Sequence, residues 1–116
     1  MSVVIYHNPR CSKSRQTLEV LQENGVQPEV IKYLETPLTV EQLKVLFTQL
    51  GFESVRDMMR SKEADYKEAN LGDASVTDED LFAAMATNPK LFERPVVVAN
   101  NKARIGRPPE QVLEIL

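Results

Sequence analysis

The fold of this chain is decided in the stretch 3–23, which reads VVIYHNPRCSKSRQTLEVLQE. Its first four residues are apolar or aromatic and mostly β-branched, which is typical of a short buried strand. The polar segment 7–10 contains an Asn-Pro dipeptide and interrupts that strand. From about Ser12 the spacing of the apolar residues predicts an amphipathic helix, which Gly25 ends. The chain therefore opens with a strand, a short loop and a helix.

The rest of the chain is predicted to supply one more strand, a helical middle and a closing hairpin. The predicted elements are, in order, a strand at 29–34, a helix from Thr39 to Gly51, short helices at 54–60 and 65–71, a helix at 77–87, strands at 95–99 and 103–106, and a helix from Pro108. This order predicts an α/β protein with a thioredoxin-like fold, a helical insertion and a mixed sheet of about four strands. No repeat or long linker divides the sequence, so residues 1–116 are predicted to form a single domain.

Composition limits the classes of protein to which this chain can belong. With 116 residues, 42% of them hydrophobic, it is long enough for one core. The formal net charge of −3 argues against a general nucleic-acid-binding surface. No apolar run approaches the roughly 18 residues that a membrane span needs, and the start lacks the basic region of a secretory signal. We therefore expect a cytoplasmic protein with neither nucleic acid nor a membrane as its partner. A monomer is also expected, although composition does not determine the oligomeric state.

The reactive chemistry is predicted around Cys11, the one cysteine, at the junction of the first strand and the first helix. Free N–H groups and the positive end of the helix dipole lie at such a junction, where cysteine pKa values fall to about 3.5–7.5 from about 8.5. Lys13 and Arg15 add positive charge, and His7, the one histidine, is close enough in sequence to assist ionisation. The same N–H groups can bind an oxyanion. A nucleophile and the anion that it attacks are thus predicted in one place.

Two neighbouring positions narrow this chemistry. A C-x-x-C pair starting at Cys11 would provide a second thiol, but the last position of that motif is occupied by Ser14. A C-x5-R phosphate loop would need an arginine at the position of Thr17. The chain therefore cannot complete a dithiol cycle by itself, and any redox turnover needs thiols from outside. The alternative is that Cys11 is only a small buried residue in a turn. Its charged neighbours favour the reactive interpretation.

Five motifs resemble, in order, those of the ArsC family of arsenate reductases, closest to its short ArsC-like or YfgD-like members: YHNP at 6–9 with Cys11, YLETP at 33–37, RDMMR at 56–60, ERPVVV at 93–98 and RIGRPPE at 104–110. Together they cover essentially the whole chain. The resemblance implies a thioredoxin-like fold with a helical insertion, and reduction of arsenate to arsenite. It also implies glutathione as co-substrate, glutaredoxin as protein partner, no tightly bound cofactor and no metal ion.

Carried onto this sequence, the resemblance implies roles for particular side chains. The implied catalytic set is Cys11 as nucleophile, His7 to assist its ionisation, and Arg60, Arg94 and Arg107. The implied anion-binding set is Ser14, Arg15, Arg60, Arg94 and Arg107, with Ser14 also hydrogen-bonding the thiolate. Planar guanidinium groups suit this task because they bind oxyanions through two parallel hydrogen bonds, although a single arginine is more often a solvated surface charge. The peptide bond before Pro95 is left open as cis or trans.

Two other functions fit part of the pattern. A regulator of the Spx type shares the strand-helix-strand opening and binds RNA polymerase, but such proteins typically carry C-x-x-C, which Ser14 interrupts. A thiol transferase of the monothiol glutaredoxin type would use Cys11, but it would need a glutathione site and not three converging arginines. The first prediction is reduction of arsenate, in which Cys11 displaces an arsenate oxygen and external thiols complete the cycle.

Overall fold

A computed structural model describes residues 2–116. Its contacts form two compact units. The first unit contains the chain up to Thr36 together with Arg94–Leu116, and the second contains Pro37–Glu93. The single domain expected over 1–116 stays a prediction. Within residues 2–116, no helix has the length and apolar character needed to cross a membrane.

The first unit is built on a mixed sheet of four strands. Its elements are β1 (Val3–Tyr6), α1 (Ser12–Glu23), β2 (Glu29–Ile31), β3 (Val96–Ala99), β4 (Lys102–Ile105) and a 3-10 helix at Pro109–Ile115. The strand order is β2-β1-β3-β4, in which β2 is parallel to β1 and the other two pairs are antiparallel. This is the α/β class and the mixed sheet that the sequence predicts.

The core of this unit joins the sheet to the helices. Val3 and Ile5 lie on one face of β1, because alternate side chains of a strand share a face, and both are buried. The cluster is completed by Leu21 of α1, Val97 and Ala99 of β3, and Val112 and Ile115 of the C-terminal 3-10 helix. Burial of α1 against the sheet holds the N-terminus of this helix at the end of β1.

The hairpin between β3 and β4 turns at two asparagines. Asn100 and Asn101 have φ angles of 53° and 65°. Both therefore occupy the left-handed region, as a two-residue hairpin turn of type I′ requires. Asparagine tolerates that region better than most residues. The side-chain amide of Asn100 also donates to the carbonyl of Ile115 at 2.8 Å, which ties the turn to the C-terminal 3-10 helix. The predicted tight turn is confirmed.

β2 is shorter than predicted. It ends at Ile31, three residues before the predicted end, because the chain turns at Lys32. The carbonyl of Lys32 accepts hydrogen bonds from the N–H groups of Glu35 and Thr36, each at 2.9 Å. These turn hydrogen bonds draw the chain away from the direction of the strand.

The second unit is the helical insertion. Its elements are α2 (Val40–Leu50), a 3-10 helix at Val55–Met58, α3 (Ala64–Glu68), α4 (Asp78–Thr87) and a 3-10 helix at Pro89–Leu91. α2 and α4 begin at capping boxes formed by Thr39 and Thr77, where the sequence predicts helix starts. The helix predicted at 54–60 and the C-terminal helix are both of the 3-10 type, which occurs mostly in short segments.

Gly106, between β4 and Arg107, is packed closely against α1. Its N–H donates to the carbonyl of Pro95 at 2.9 Å, and its own carbonyl accepts from the Thr17 hydroxyl of α1 at 3.4 Å. A methyl group on Gly106 would overlap the side chain of Thr17 and would lie 2.8 Å from Cγ of Pro95. Only glycine lets the chain pass this close to α1, and this approach places Arg107.

We expect Gly106→Ala to lower the free energy of unfolding by about 1–3 kcal/mol, the usual cost of forcing extra volume into a packed site. Urea denaturation followed by circular dichroism measures the change. Gly72→Ala is the matched control, since its added methyl group would lie 3.6 Å from Cε1 of Tyr66, an ordinary contact. An equal loss of stability in the two variants would contradict the packing argument.

Candidate functional site

Cys11 is the residue that caps the N-terminus of α1. Its backbone is extended, with φ −95° and ψ 123°, and only 9% of its surface is exposed. Its N–H donates to the carbonyl of Asn8 at 3.0 Å, which closes the loop between β1 and α1. The sulfur therefore lies where the unpaired N–H groups of the first helical turn concentrate positive potential.

The pKa of Cys11 is lowered from its ordinary value by the sum of opposing influences. Burial is the largest single influence, and it raises the pKa because it disfavours the anion. The N–H of Ser14, the charge of Arg94, the N–H of Lys13 and the charge of Arg107 together outweigh it. These N–H groups favour the thiolate although Cys11 makes no close side-chain capping hydrogen bond. The surroundings therefore favour a reactive thiolate.

Two of the three predicted arginines meet Cys11 in the first unit. Nη2 of Arg107 lies 3.9 Å from the sulfur of Cys11, and Nε of Arg107 donates to the carbonyl of Arg94 at 2.9 Å. The Nε and Nη1 atoms of Arg94 are buried. Each of the two arginines precedes a proline through a cis peptide bond, so the bond before Pro95 is cis.

His7 contacts Cys11 indirectly, through Ser14. Both residues are buried, and Nδ1 of His7 lies 2.7 Å from Oγ of Ser14. The same Oγ accepts the N–H of Asn8 at 3.0 Å, so the hydroxyl proton of Ser14 can be donated to a neutral imidazole. The backbone N–H of Ser14 in turn acts on the Cys11 sulfur. Ser14 thus joins the histidine to the nucleophile.

The pKa of His7 is lowered from its ordinary value by burial first, and then by the charges of Lys32 and Arg15. His7 is therefore neutral at pH 7, and a cationic imidazole is not the form that the site favours. Any assistance that His7 gives to the ionisation of Cys11 then passes through Ser14 and not through a positive charge. The catalytic role of His7 itself stays a prediction.

The other predicted anion-binding arginines have protein partners. Arg15 is exposed, and its Nη1 donates to the carbonyl of Pro9 at 2.9 Å, which braces the loop before Cys11. Arg60 belongs to the second unit, where its guanidinium pairs with the carboxylate of Glu63 at 2.9 Å. Contact of either arginine with a bound anion stays a prediction.

Lys32, whose charge acts on His7, is not among the site residues predicted from the sequence. The predicted parallel pairing of the first two strands could have indicated Lys32, because the carboxyl ends of β1 and β2 meet at the same edge of the sheet. Tyr6 is paired with Ile31, and the N–H of His7 donates to the carbonyl of Ile31 at 2.8 Å. The residue after Ile31 therefore follows directly beside His7.

The fold and the site define a thioredoxin-like protein with a single cysteine, whose pKa is lowered, beside two arginines. Residues 6–115 match the model of the ArsC family. The chain belongs to the ArsC family, as its motifs predict, and its thioredoxin-like fold is confirmed by the solved structures that it resembles.

Three relatives show how close this similarity is. The uncharacterized protein YfgD of Escherichia coli strain K12 is 64% identical, over 98% of this chain and 96% of its own. A protein of Haemophilus influenzae named arsenate reductase is 48% identical over the full length of both chains. The solved structure of an arsenate reductase from Vibrio cholerae superposes with a TM-score of 0.99 at 66% identity, over 100% of this chain and 98% of that one.

We expect alkylation of Cys11 by iodoacetamide, followed against pH, to show an inflection below the value of about 8.5 that a free thiol shows. The thiolate is the reacting form, so a lowered pKa extends fast alkylation to lower pH. Arg107→Ala should move the inflection upward, because it removes one of the charges that lower the pKa. A single wild-type inflection near 8.5 would count against an activated thiolate.

Proposed function

We propose that this protein reduces arsenate to arsenite, with Cys11 as the nucleophile and with glutathione and glutaredoxin as the sources of electrons. The observation that carries the proposal is the guanidinium of Arg107, 3.9 Å from a sulfur whose pKa is lowered. A thiolate alone would repel an oxyanion, whereas a thiolate next to guanidinium groups can receive one. The names of relatives from Haemophilus influenzae and Vibrio cholerae support arsenate as the substrate.

In the first proposed step, the thiolate of Cys11 attacks arsenic. A sulfur–arsenic bond forms, one arsenic–oxygen bond breaks, and the departing oxygen takes up protons and leaves as water. Negative charge gathers around the arsenic as the two anions approach, and Arg94 and Arg107 lower the barrier by neutralising part of it. The arsenic is still in its higher oxidation state after this step.

In the second proposed step, glutathione attacks the sulfur of Cys11. A disulfide bond forms between the two sulfurs, glutathione loses its thiol proton, and the electron pair of the sulfur–arsenic bond stays on arsenic. Arsenic is thereby reduced by two electrons and leaves as arsenite, while the two thiols are oxidised to a mixed disulfide. Glutaredoxin then attacks the glutathione sulfur and releases the Cys11 thiolate, because this chain has no second cysteine that could do so.

We expect Cys11→Ser to abolish arsenate reduction while the variant remains folded, since the chain has no other thiol. The assay follows oxidation of NADPH, dependent on arsenate, in the presence of glutathione, glutaredoxin and glutathione reductase. Circular dichroism of the variant controls for folding. Substantial reduction by the serine variant would remove Cys11 from the mechanism.

We expect Arg94→Ala and Arg107→Ala each to reduce kcat/KM by an amount equivalent to about 2–4 kcal/mol, as when one oxyanion donor is lost. Lysine at either position should restore activity only in part, because it keeps the charge and loses the planar fork.

Arg104→Ala is the matched control for these variants. Arg104 lies in the same unit, and its Nε pairs with Glu114 at 3.3 Å, so its removal should leave kcat/KM nearly unchanged. Near-normal activity of Arg94→Ala and Arg107→Ala, or an equal loss in Arg104→Ala, would be incompatible with an arginine-lined anion site.

A further inference from the structure

A cavity of about 350 Å³ lies against the loop that leads to Cys11. Its walls are the four residues of that loop, 7–10, together with Lys32, Leu34 and Glu35 from the turn after β2. Its volume is within the range of about 300–1,000 Å³ that small-molecule sites have. The mechanism proposed above does not use this cavity. His7 is the one residue of its wall that also belongs to the predicted catalytic set.

The walls of the cavity carry charges of both signs. Arg10 and Lys32 are cationic, Glu35 is anionic, and Leu34 adds an apolar surface that is 39% exposed. None of these three charged groups forms an ion pair within residues 2–116, whose ion pairs lie elsewhere. The charge of Lys32 is near enough to His7 to lower the pKa of the imidazole, so it lies on the His7 side of the cavity. Charged groups of this kind can bind a ligand of complementary charge.

The chemistry of the chain requires a second molecule at this end of the sheet. A single cysteine cannot return itself to the thiolate after it has been oxidised, so a thiol has to reach it from outside. The cavity is suitably placed for that thiol, because Arg10 in its wall directly precedes Cys11 in the chain. The whole wall at 7–10 belongs to the loop that closes at Cys11 through the hydrogen bond from the N–H of Cys11 to the carbonyl of Asn8.

We propose that this cavity binds a small zwitterionic peptide thiol, with its carboxylates on Lys32 and Arg10 and its ammonium group on Glu35. The inference deepens the proposed function and rests on it for the role of the bound thiol as reductant. Leu34 and Pro9 then contact the apolar part of the peptide. Lys32 is thereby a specificity-determining residue for the thiol, and it does not touch the arsenate.

The first experiment measures binding without any redox chemistry. S-methylglutathione has the carboxylates and the ammonium group of the peptide but no free thiol, so it cannot react with Cys11. Titration into the ¹⁵N-labelled protein should shift the amide signals of the 7–10 loop and of residues 32–35. Lys32→Glu should weaken binding by about three- to tenfold, as expected for loss and reversal of one exposed ion pair. Lys102→Glu, at the exposed first position of β4, is the matched control and should bind like the wild type.

The second experiment compares thiols of different charge as the sole reductants and measures the arsenite formed directly, because glutathione reductase does not recycle the other thiols. Lys32→Glu should raise KM for glutathione by about three- to tenfold, leave KM for neutral 2-mercaptoethanol unchanged and not raise KM for cationic cysteamine. An equal change for all three thiols would overturn the proposal, because it would mean that Lys32 acts through His7 or Cys11 and not on the thiol.

The two experiments separate this proposal from the proposed function. If S-methylglutathione shifts the cavity signals but arsenate is not reduced, the binding site stands and arsenate reduction fails. If arsenate is reduced but the cavity signals do not move at millimolar S-methylglutathione, the binding site fails and the reduction stands. If Lys32→Glu and Lys102→Glu weaken binding equally, the peptide is held only by general charge attraction. That result would also overturn the proposed binding site.

Discussion

A negative charge on the nearly buried sulfur of Cys11 is the condition on which the rest of the site depends. Burial by itself favours the neutral thiol, so the pKa of Cys11 is lowered only because other groups act against burial. The N–H groups at the start of α1 are local and come with the helix. The guanidinium groups of Arg94 and Arg107 come from the other end of the sequence, at the two ends of the β3–β4 hairpin. The thiolate is therefore a property of the assembled sheet and not of the loop alone.

The pairing of β1 with β3 accomplishes that assembly. The strands are antiparallel, and Tyr6 at the end of β1 is paired with Val96 at the start of β3. The residues just after β1 and those just before β3 therefore meet at one edge of the sheet. The close approach of Gly106 to α1 then directs Arg107 to the same place, where its Nε is held by the carbonyl of Arg94. A site that attracts an anion is thus formed largely by backbone geometry.

Local signals in the sequence were sufficient for much of this architecture. The strand, loop and helix around Cys11, the capping box at Thr39 and the turn at Asn100-Asn101 each depend on residues within a few positions of one another, and each is present. The end of β2 was predicted less well. Its apolar pattern continues beyond Ile31, but the turn hydrogen bonds to the carbonyl of Lys32 are stronger than the preference for strand.

The sequence by itself determined that this protein has one thiol, that the thiol is at the start of a helix, and that oxidised Cys11 needs an external thiol. These facts follow from residue identity and from short-range patterns. Only the tertiary structure decided which charges act on which group. His7 is neutral because burial and the charges of Lys32 and Arg15 disfavour its proton, and burial and the pairing of β1 with β2 are not local properties. Electrostatic energies depend on distance in space, which neighbouring positions along the chain do not specify.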